Sequence, residues 1–162
     1  MRNVIYADGI EDLASRDELL SMSGLDFMRR MRDGQTAHPP ISRGLAYHLD
    51  TVEEGRVVFR GVPGFDHLNP MGAVHGGWYG TILDSCMGCA VMTKLPAGTI
   101  YTTLEYKVNI TRAIPMGRAV LAEGRTSHAG RTTAVAEGTI RDADTGRLYA
   151  TGSTTCLIMK PD

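Results

Sequence analysis

Gly76-Gly77-Trp78-Tyr79-Gly80-Thr81-Ile82-Leu83-Asp84-Ser85-Cys86-Met87-Gly88-Cys89-Ala90-Val91-Met92-Thr93 is the stretch whose reading decides the fold. It is too long for one strand. Apolar residues lie nearly all round it, so it reads as a buried helix rather than a surface one. Gly80 and Gly88 each cost roughly 1 kcal/mol against alanine inside a helix. Close approach of a strand or a second helix would offset that cost. Asp84 is the only charged residue from Trp78 to Met92. A lone carboxylate on a buried helix is expensive unless something pairs with it.

The segments on either side supply the cover. Residues 43–62 read as a hairpin around the turn signal Glu53-Glu54-Gly55, and residues 63–75, with Pro63, Gly64, Pro70 and Gly72, read as a loop. After Pro96-Ala97-Gly98 come four strand-like segments, expected to run as a meander. In the first, Thr103 to Thr111, Leu104, Tyr106, Val108 and Ile110 share one face, and Glu105, Lys107, Asn109 and Thr111 the other. Residues 118–127, 131–141 and 147–159 follow, separated by the turns His128-Ala129-Gly130 and Asp142-Ala143-Asp144-Thr145-Gly146. Thr132, Ala134, Ala136 and Gly138 are small on one face, as are Ala150, Gly152 and Thr154, which leaves room for something wide such as a helix. One helix cannot cover itself on every side; a strongly curved antiparallel sheet wrapped around it would. The layout is α+β.

Residues 9–33 read as helical, with Asp8 and Ser15 as candidate N-caps and a break at Ser23-Gly24 that makes two short helices. His38-Pro39-Pro40 ends helical structure. Residues 1–40 are expected to form a helical extension packed on a main domain of residues 41–162.

The bulk composition removes several classes of function. The chain has 162 residues, 43% of them apolar, and a net charge of -1. That suits one domain with a packed core and argues against a nucleic-acid surface. No run approaches the ~20 apolar residues of a membrane span, and Met1 to Asp8 lacks the apolar core of a secretory leader. Three cysteines do not make a disulfide framework, which fits a reducing compartment. The expectation is a cytoplasmic protein without nucleic-acid or membrane partners.

Chemistry concentrates in His67-Leu68-Asn69-Pro70-Met71-Gly72-Ala73-Val74-His75-Gly76-Gly77 and in Asp84. Unpaired N–H groups at a helix start polarise a carbonyl well. Gly76 and Gly77 stand where the helix begins and let a ligand approach the backbone. The Asn69 amide offers a further donor, and Asp84 a base or a nucleophile. Each residue has a plainer reading: a hydrogen-bonded structural Asp84, a His75 bonded to the helix start, an Asn69 closing an Asx-turn before Pro70. Asp84 lies eight residues past Gly76, so ~12 Å along the axis. One helix therefore serves poorly as both the polarising and the attacking side of one site.

Asn69-Pro-Met-Gly72-Ala-Val-His75-Gly76-Gly77, Leu83-Asp84 and Thr102-Thr103-Leu-Glu-Tyr-Lys-Val-Asn109 together resemble the phenylacetate-degradation (PaaI-like) branch of the hotdog-fold thioesterases. The resemblance covers residues 25–159. The family often has proline directly after the arginine that follows this strand; here Arg112 is followed by Ala113, with Pro115 later. The resemblance implies the hotdog fold and hydrolysis of an aryl- or medium-chain acyl-CoA. It implies that Asp84 activates water or attacks directly, and that the Gly76 N–H and Asn69 polarise the carbonyl. His75 would lie beside the site, and the Thr103 hydroxyl would assist the water. It further implies a homodimer, commonly paired again into a tetramer, in which Asp84 of one protomer faces the helix start of the other. Gly77 and Arg131 are the expected substrate-binding residues, although Arg131 also reads as a solvated loop charge. No cofactor and no metal are expected.

Other signals read as packing. Cys86-x-x-Cys89 sits mid-helix among apolar residues, not at a helix start where the dipole lowers a thiol pKa. Met22, Met28 and Met31 form an ordinary helix stripe. His38, His48 and His128 have no partner spacing for a metal. Two rival functions are a hotdog dehydratase or hydratase and a non-catalytic acyl-CoA-binding hotdog.

Overall fold

The computed structural model describes residues 4–161; residues 1–3 and 162, and with them the first part of the segment read above for a leader, lie outside the described residues. Serine caps organise the N-terminal segment. The Ser15 Oγ accepts the Glu18 N–H at 3.1 Å and starts α1 (Arg16–Leu20). The Ser23 Oγ accepts the Asp26 N–H at 3.1 Å and starts α2 (Gly24–Arg32). The break at Ser23-Gly24 is therefore a cap. Asp8 does not cap a helix: its carboxylate pairs with Arg43 at 2.7 Å, and a single 3-10 turn follows at Ile10–Asp12. A short α3 (Pro40–Gly44) stands where the prolines were expected to end helical structure. Pro40 occupies the first turn, where its missing N–H costs nothing.

The hairpin consequently begins later than expected, with β1 (Tyr47–Glu53) and β2 (Arg56–Gly61) joined at Glu54-Gly55. Gly55 has φ +74° there, a left-handed value that suits glycine. The loop after β2 contains a 3-10 turn at Phe65–His67 and leads into α4 (Gly76–Met92). β3 (Ile100–Ile110), β4 (Val120–Ala129), β5 (Thr133–Asp142) and β6 (Leu148–Met159) complete the chain. The six strands form one antiparallel sheet in the order β1-β2-β4-β5-β6-β3. Only β4, β5 and β6 form a meander. β3 crosses to the far edge and pairs with β6, while the hairpin strand β2 takes the place beside β4.

α4 lies in the curve of this sheet. Ile82, Leu83, Cys86, Met87, Ala90 and Val91 are completely buried, facing several different strands. A row of glycines makes the close approach possible. Gly124, Gly138 and Gly152 sit directly opposite one another across β4, β5 and β6. A side chain on Gly124 would run into the backbone of Cys86 and Met87, and one on Gly138 would meet Met87 Cγ at 2.9 Å. Of the small residues expected to admit a helix, Gly138 and Gly152 do so, whereas Thr132 is exposed in the β4–β5 turn. Side chains fix the start of α4: Trp78 Nε1 donates to the Leu45 carbonyl, and Tyr79 Oη accepts the Ile114 N–H, both at 2.8 Å.

β3 passes over the remaining side of α4. A Cβ on Gly80 would lie 3.2 Å from the Tyr106 Oη, and one on Gly88 only 2.5 Å from the Tyr101 Oη. The glycines of the helix thus accommodate tyrosines of one strand. Strict alternation through β3 does not hold. Thr103 pairs with Cys156 and Glu105 with Thr155, so Leu104 is an extra residue in a β-bulge. Leu104 leaves the apolar face and stands 58% exposed. Thr103 then faces the helix together with Tyr106 and Val108, instead of sharing a face with Glu105.

Candidate active site

The helix start is built by a tight loop. Leu68 and Val74 form a β-bridge, the Asn69 N–H donates to the Ala73 carbonyl at 2.8 Å, and Gly72 takes φ +77°. The Asn69 side-chain carbonyl accepts the N–H groups of Met71 at 2.9 Å and Ala73 at 3.1 Å. The Asx-turn is therefore present, and it consumes only the oxygen. Among the described residues the Asn69 amide NH2 meets no acceptor, so the same side chain holds the loop and keeps its donors.

His67 anchors this loop. Its Nδ1 accepts the Gly64 N–H at 2.8 Å, which leaves Nε2 to donate to the Gly44 carbonyl at 2.9 Å. The His75 N–H donates to the His67 carbonyl at 2.8 Å. His75 is the N-cap of α4, and its Nδ1 accepts the Gly77 N–H at 2.8 Å. The Trp78 N–H is satisfied by the His75 carbonyl at 3.0 Å. Among the described residues the Gly76 N–H has no acceptor. Of the glycine donors expected at this point, Gly76 is open, while Gly77 is committed to His75. A cavity of about 350 Å3 adjoins this end, lined in part by Asp66, His67, His75 and Thr81.

Asp84 sits two turns further on and is half-buried. Its Oδ1 accepts the Thr103 hydroxyl at 2.9 Å, so the costly carboxylate has one charge-assisted bond. Among the described residues Oδ2 has no protein partner. Gly80, Asp84 and Gly88 are spaced by four and share one face of the helix. Tyr106 and Tyr101 cover the glycines, and the carboxylate stands between them. Burial raises the Cys89 thiol to about 12, and the neighbouring Asp84 charge adds to it. Burial likewise lifts the Tyr101 phenol well above its usual value, with Cys89 and Asp84 contributing. Both groups stay protonated at neutral pH.

Asp84 and Thr103 are thus brought together, and so are Asn69, His75, Gly76 and Gly77. The two groups remain apart by the ~12 Å of helix between them. Arg131 is exposed in the β4–β5 turn, toward the C-terminal end of α4 and away from the chain's own helix start. Tyr101, Tyr106 and His67 were not singled out from the sequence. The spacing Gly80–Asp84–Gly88 carried a signal for the tyrosines, but the strand that supplies them could not be identified locally.

The discounted signals behave as packing. Cys86, Cys89 and Cys156 are free thiols. Cys86 is completely buried, donates to the Leu83 carbonyl at 3.3 Å, and is pushed well up by burial. Met28 is in the core, with Met22 and Met31 packed against it. His38 is buried and bonded to backbone at both ring nitrogens, with Nε2 accepting the Leu49 N–H and Nδ1 donating to the Ile5 carbonyl, both at 3.2 Å. No group of three or more potential metal ligands occurs among the described residues. A cavity of about 280 Å3 on the outer side of the sheet is lined by Arg56, Glu123 and Arg141. Arg56 and Glu123 are paired there at 2.7 Å.

Comparison with known proteins agrees with this geometry. Residues 71–149, which run from the helix-start loop into β6, match the thioesterase superfamily model. No match occurs among curated proteins. A putative thioesterase from Ralstonia eutropha, described as phenylacetic acid degradation-related, is 26% identical, with a TM-score of 0.73 over 81% of this chain and 98% of that one. A thioesterase family protein from Silicibacter pomeroyi, 24% identical, shares the fold with a TM-score of 0.73 over 85% and 99% of the two chains. A Streptococcus mutans protein solved bound to acetyl-CoA is 25% identical, with a TM-score of 0.65 over 70% and 89%. No described helix is long and apolar enough to cross a membrane. A six-stranded curved sheet around α4, the match to the thioesterase superfamily model across helix start and sheet, and these neighbours together identify a hotdog-fold thioester hydrolase that is similar to the thioesterase superfamily and to its PaaI-like branch.

Proposed function

We propose that the protein hydrolyses an aryl- or medium-chain acyl-CoA to the free acid and CoA, at a site shared by two protomers. The observation that carries this reading is Asp84, held by Thr103 through one oxygen with the other open, on a face covered by the side chains of Tyr101 and Tyr106. The acetyl-CoA bound to the S. mutans neighbour supports the CoA part of it. In the base mode, Asp84 Oδ2 takes a proton from water as the water oxygen bonds to the thioester carbon. The carbonyl oxygen becomes an oxyanion, held by the Gly76 N–H and the Asn69 amide. The C–S bond then breaks, and the CoA sulfur leaves with a proton as the thiol. In the nucleophile mode, Asp84 attacks the thioester carbon and the C–S bond breaks to release CoA, after which water opens the resulting anhydride to the free acid and restores the carboxylate. His75 borders the oxyanion and fixes the helix start. Gly77 acts through that cap, and Arg131 is the candidate cation for a CoA phosphate.

The β3 edge supports the shared site. Its outer edge is unpaired in the sheet, and Leu104, Tyr106 and Ile110 along it are 58%, 47% and 48% exposed. An open edge with apolar residues favours pairing with another copy. Gly76 lies beside Ile110, since a Cβ there would be 3.7 Å from Ile110 Cδ1. Two copies joined edge to edge about a two-fold axis run β3 antiparallel. The Ile110 end of one, and with it the helix start, then comes toward Thr103 and Asp84 of the other. A dimer of dimers and a cytoplasmic location complete the reading, the latter supported by three unpaired thiols.

Subunit complementation tests it. An inactive Asp84→Ala chain is mixed with an inactive Asn69→Ala chain, and exchange is verified by mass spectrometry. Half the dimers are heterodimers with one intact site of two, so roughly a quarter of wild-type sites return. Activity that stays at the parental level after verified exchange would show that each site is built within one chain.

A further inference from the structure

A second cavity lies at the other end of the Asp84 face. It has a volume of about 160 Å3 and is lined by Leu19, Met28, Met31, Met92, Cys89 and Tyr101 among others. Leu19 comes from α1, and Met28 and Met31 come from α2, so the N-terminal helices form its outer wall. Tyr101 joins the cavity to the site: its hydroxyl lies over Gly88, one turn from Asp84, or ~6 Å along the helix axis.

We propose that this cavity holds the acyl group of the substrate, and that α1 and α2 set the acyl specificity; this rests on the acyl-CoA reading above. The chemistry selects an uncharged, apolar group. The walls are methionine and leucine side chains, and the polar atoms at the inner end are a phenol and a thiol that burial keeps protonated. The size selects a phenyl ring or a chain of similar bulk, since an apolar cavity of ~150 Å3 takes up benzene. The direction fits as well. A carbonyl beside Asp84 places the acyl tail along α4 toward Gly88 and Cys89, and the CoA portion away from it toward solvent. Three methionines make the wall adaptable, so related aryl and aliphatic groups of this bulk are accepted together.

The test compares kcat/KM for acetyl-, butanoyl-, hexanoyl-, phenylacetyl- and decanoyl-CoA in the wild type, Met31→Trp and Met31→Ala. In the wild type the constant rises by roughly fourfold per methylene buried, up to hexanoyl- and phenylacetyl-CoA, and falls again for decanoyl-CoA. Met31→Trp fills the cavity and lowers the phenylacetyl-to-acetyl ratio at least tenfold. Met31→Ala enlarges it and moves the optimum toward decanoyl-CoA. Leu19→Trp, a half-buried position contributed by α1, lowers the same ratio and serves if Met31→Trp does not fold. Ratios that move less than twofold in folded variants, while the wild type hydrolyses acyl-CoA, overturn the pocket and leave the thioesterase site standing. A wild type that hydrolyses none of the five overturns both.

Discussion

Replacing Gly124 with alanine is expected to destabilise the protein far more than the same change at Gly138, its cross-strand neighbour. A Cβ on Gly124 falls against the Cys86 carbonyl and within 2.7 Å of the Met87 nitrogen. These are backbone atoms of α4 and have no rotamer to change. Restoring a contact of 3.4 Å to that nitrogen moves the helix off the sheet by at least 0.7 Å (3.4 − 2.7). A gap of that size forfeits roughly a quarter to a half of the dispersion energy of the atoms facing it. Overpacking usually costs ~1–3 kcal/mol, and the upper end applies where backbone meets backbone. The lower chain entropy of alanine returns ~0.4–1 kcal/mol. A net loss of ~2–3 kcal/mol lowers the melting temperature by about 4–12 °C for a chain of this size. At Gly138 the obstacles are Met87 Cγ at 2.9 Å and Leu83 Cδ2 at 3.0 Å, parts of side chains that can turn aside. That variant should lose no more than ~1 kcal/mol. Calorimetric melting of both at one protein concentration decides the matter. If Gly124→Ala melts within 2 °C of the wild type, or above Gly138→Ala, the helix does not rest on a backbone contact at this point and the reasoning fails.

Asp84→Asn is expected to keep the fold and lower kcat by ~100- to 10,000-fold, the range for a lost general base; near-wild-type turnover would remove Asp84 from the mechanism. Thr103→Val deletes a bond to a charged group worth ~1.5–3 kcal/mol, which corresponds to a ~10- to 100-fold lower kcat. Thr103→Ser should restore most of it, and no recovery would mean that packing rather than the hydroxyl matters. Burial lowers the His38 pKa, so its neutral form is the folded one. Its contribution to stability is therefore complete above the unfolded value of ~6.5 and is lost as pH falls through the lower folded value. The melting temperature should drop on acidification from pH ~6.5 by more in the wild type than in His38→Gln, and equal pH profiles would refute this. Dialysis against a chelator should leave turnover unchanged, because the described His, Cys, Asp and Glu side chains do not gather in threes; loss restored by one divalent ion would show a metal site.

Features that depend on a residue's own chain neighbourhood were the ones readable in advance. The extent of α4 followed from a mostly apolar run between Gly76-Gly77 and Pro96, and Asp84 stood out because its charge had no local partner. Properties that belong to pairs of distant segments were not readable. Nothing in β3 states that it crosses to the far edge, and β4 gives no sign that Gly124, a single glycine in an alternating strand, lies against Cys86. Pro39-Pro40 marks both an end and a beginning of helix, and only the packed structure chooses the second. In the site, Asn69 and His75 were each read as either structural or functional. The structure shows that the structural bonds use one atom of each side chain and leave others open.

The bulge at Leu104 gives β3 an uneven tolerance to changes of length. Two residues, Leu104 and Glu105, occupy the span of one between Thr103 and Tyr106. Removing Leu104 leaves a regular strand in which Thr103 and Tyr106 still face α4, whereas removing Lys107 turns the following half of the strand over. A set of single-residue deletions through β3 should therefore yield folded protein at Leu104 and insoluble protein at Lys107; the opposite result would mean that the bend, not the spare residue, is what the strand requires. For natural sequence drift, the position offers this strand one place to shorten without moving the threonine away from the carboxylate.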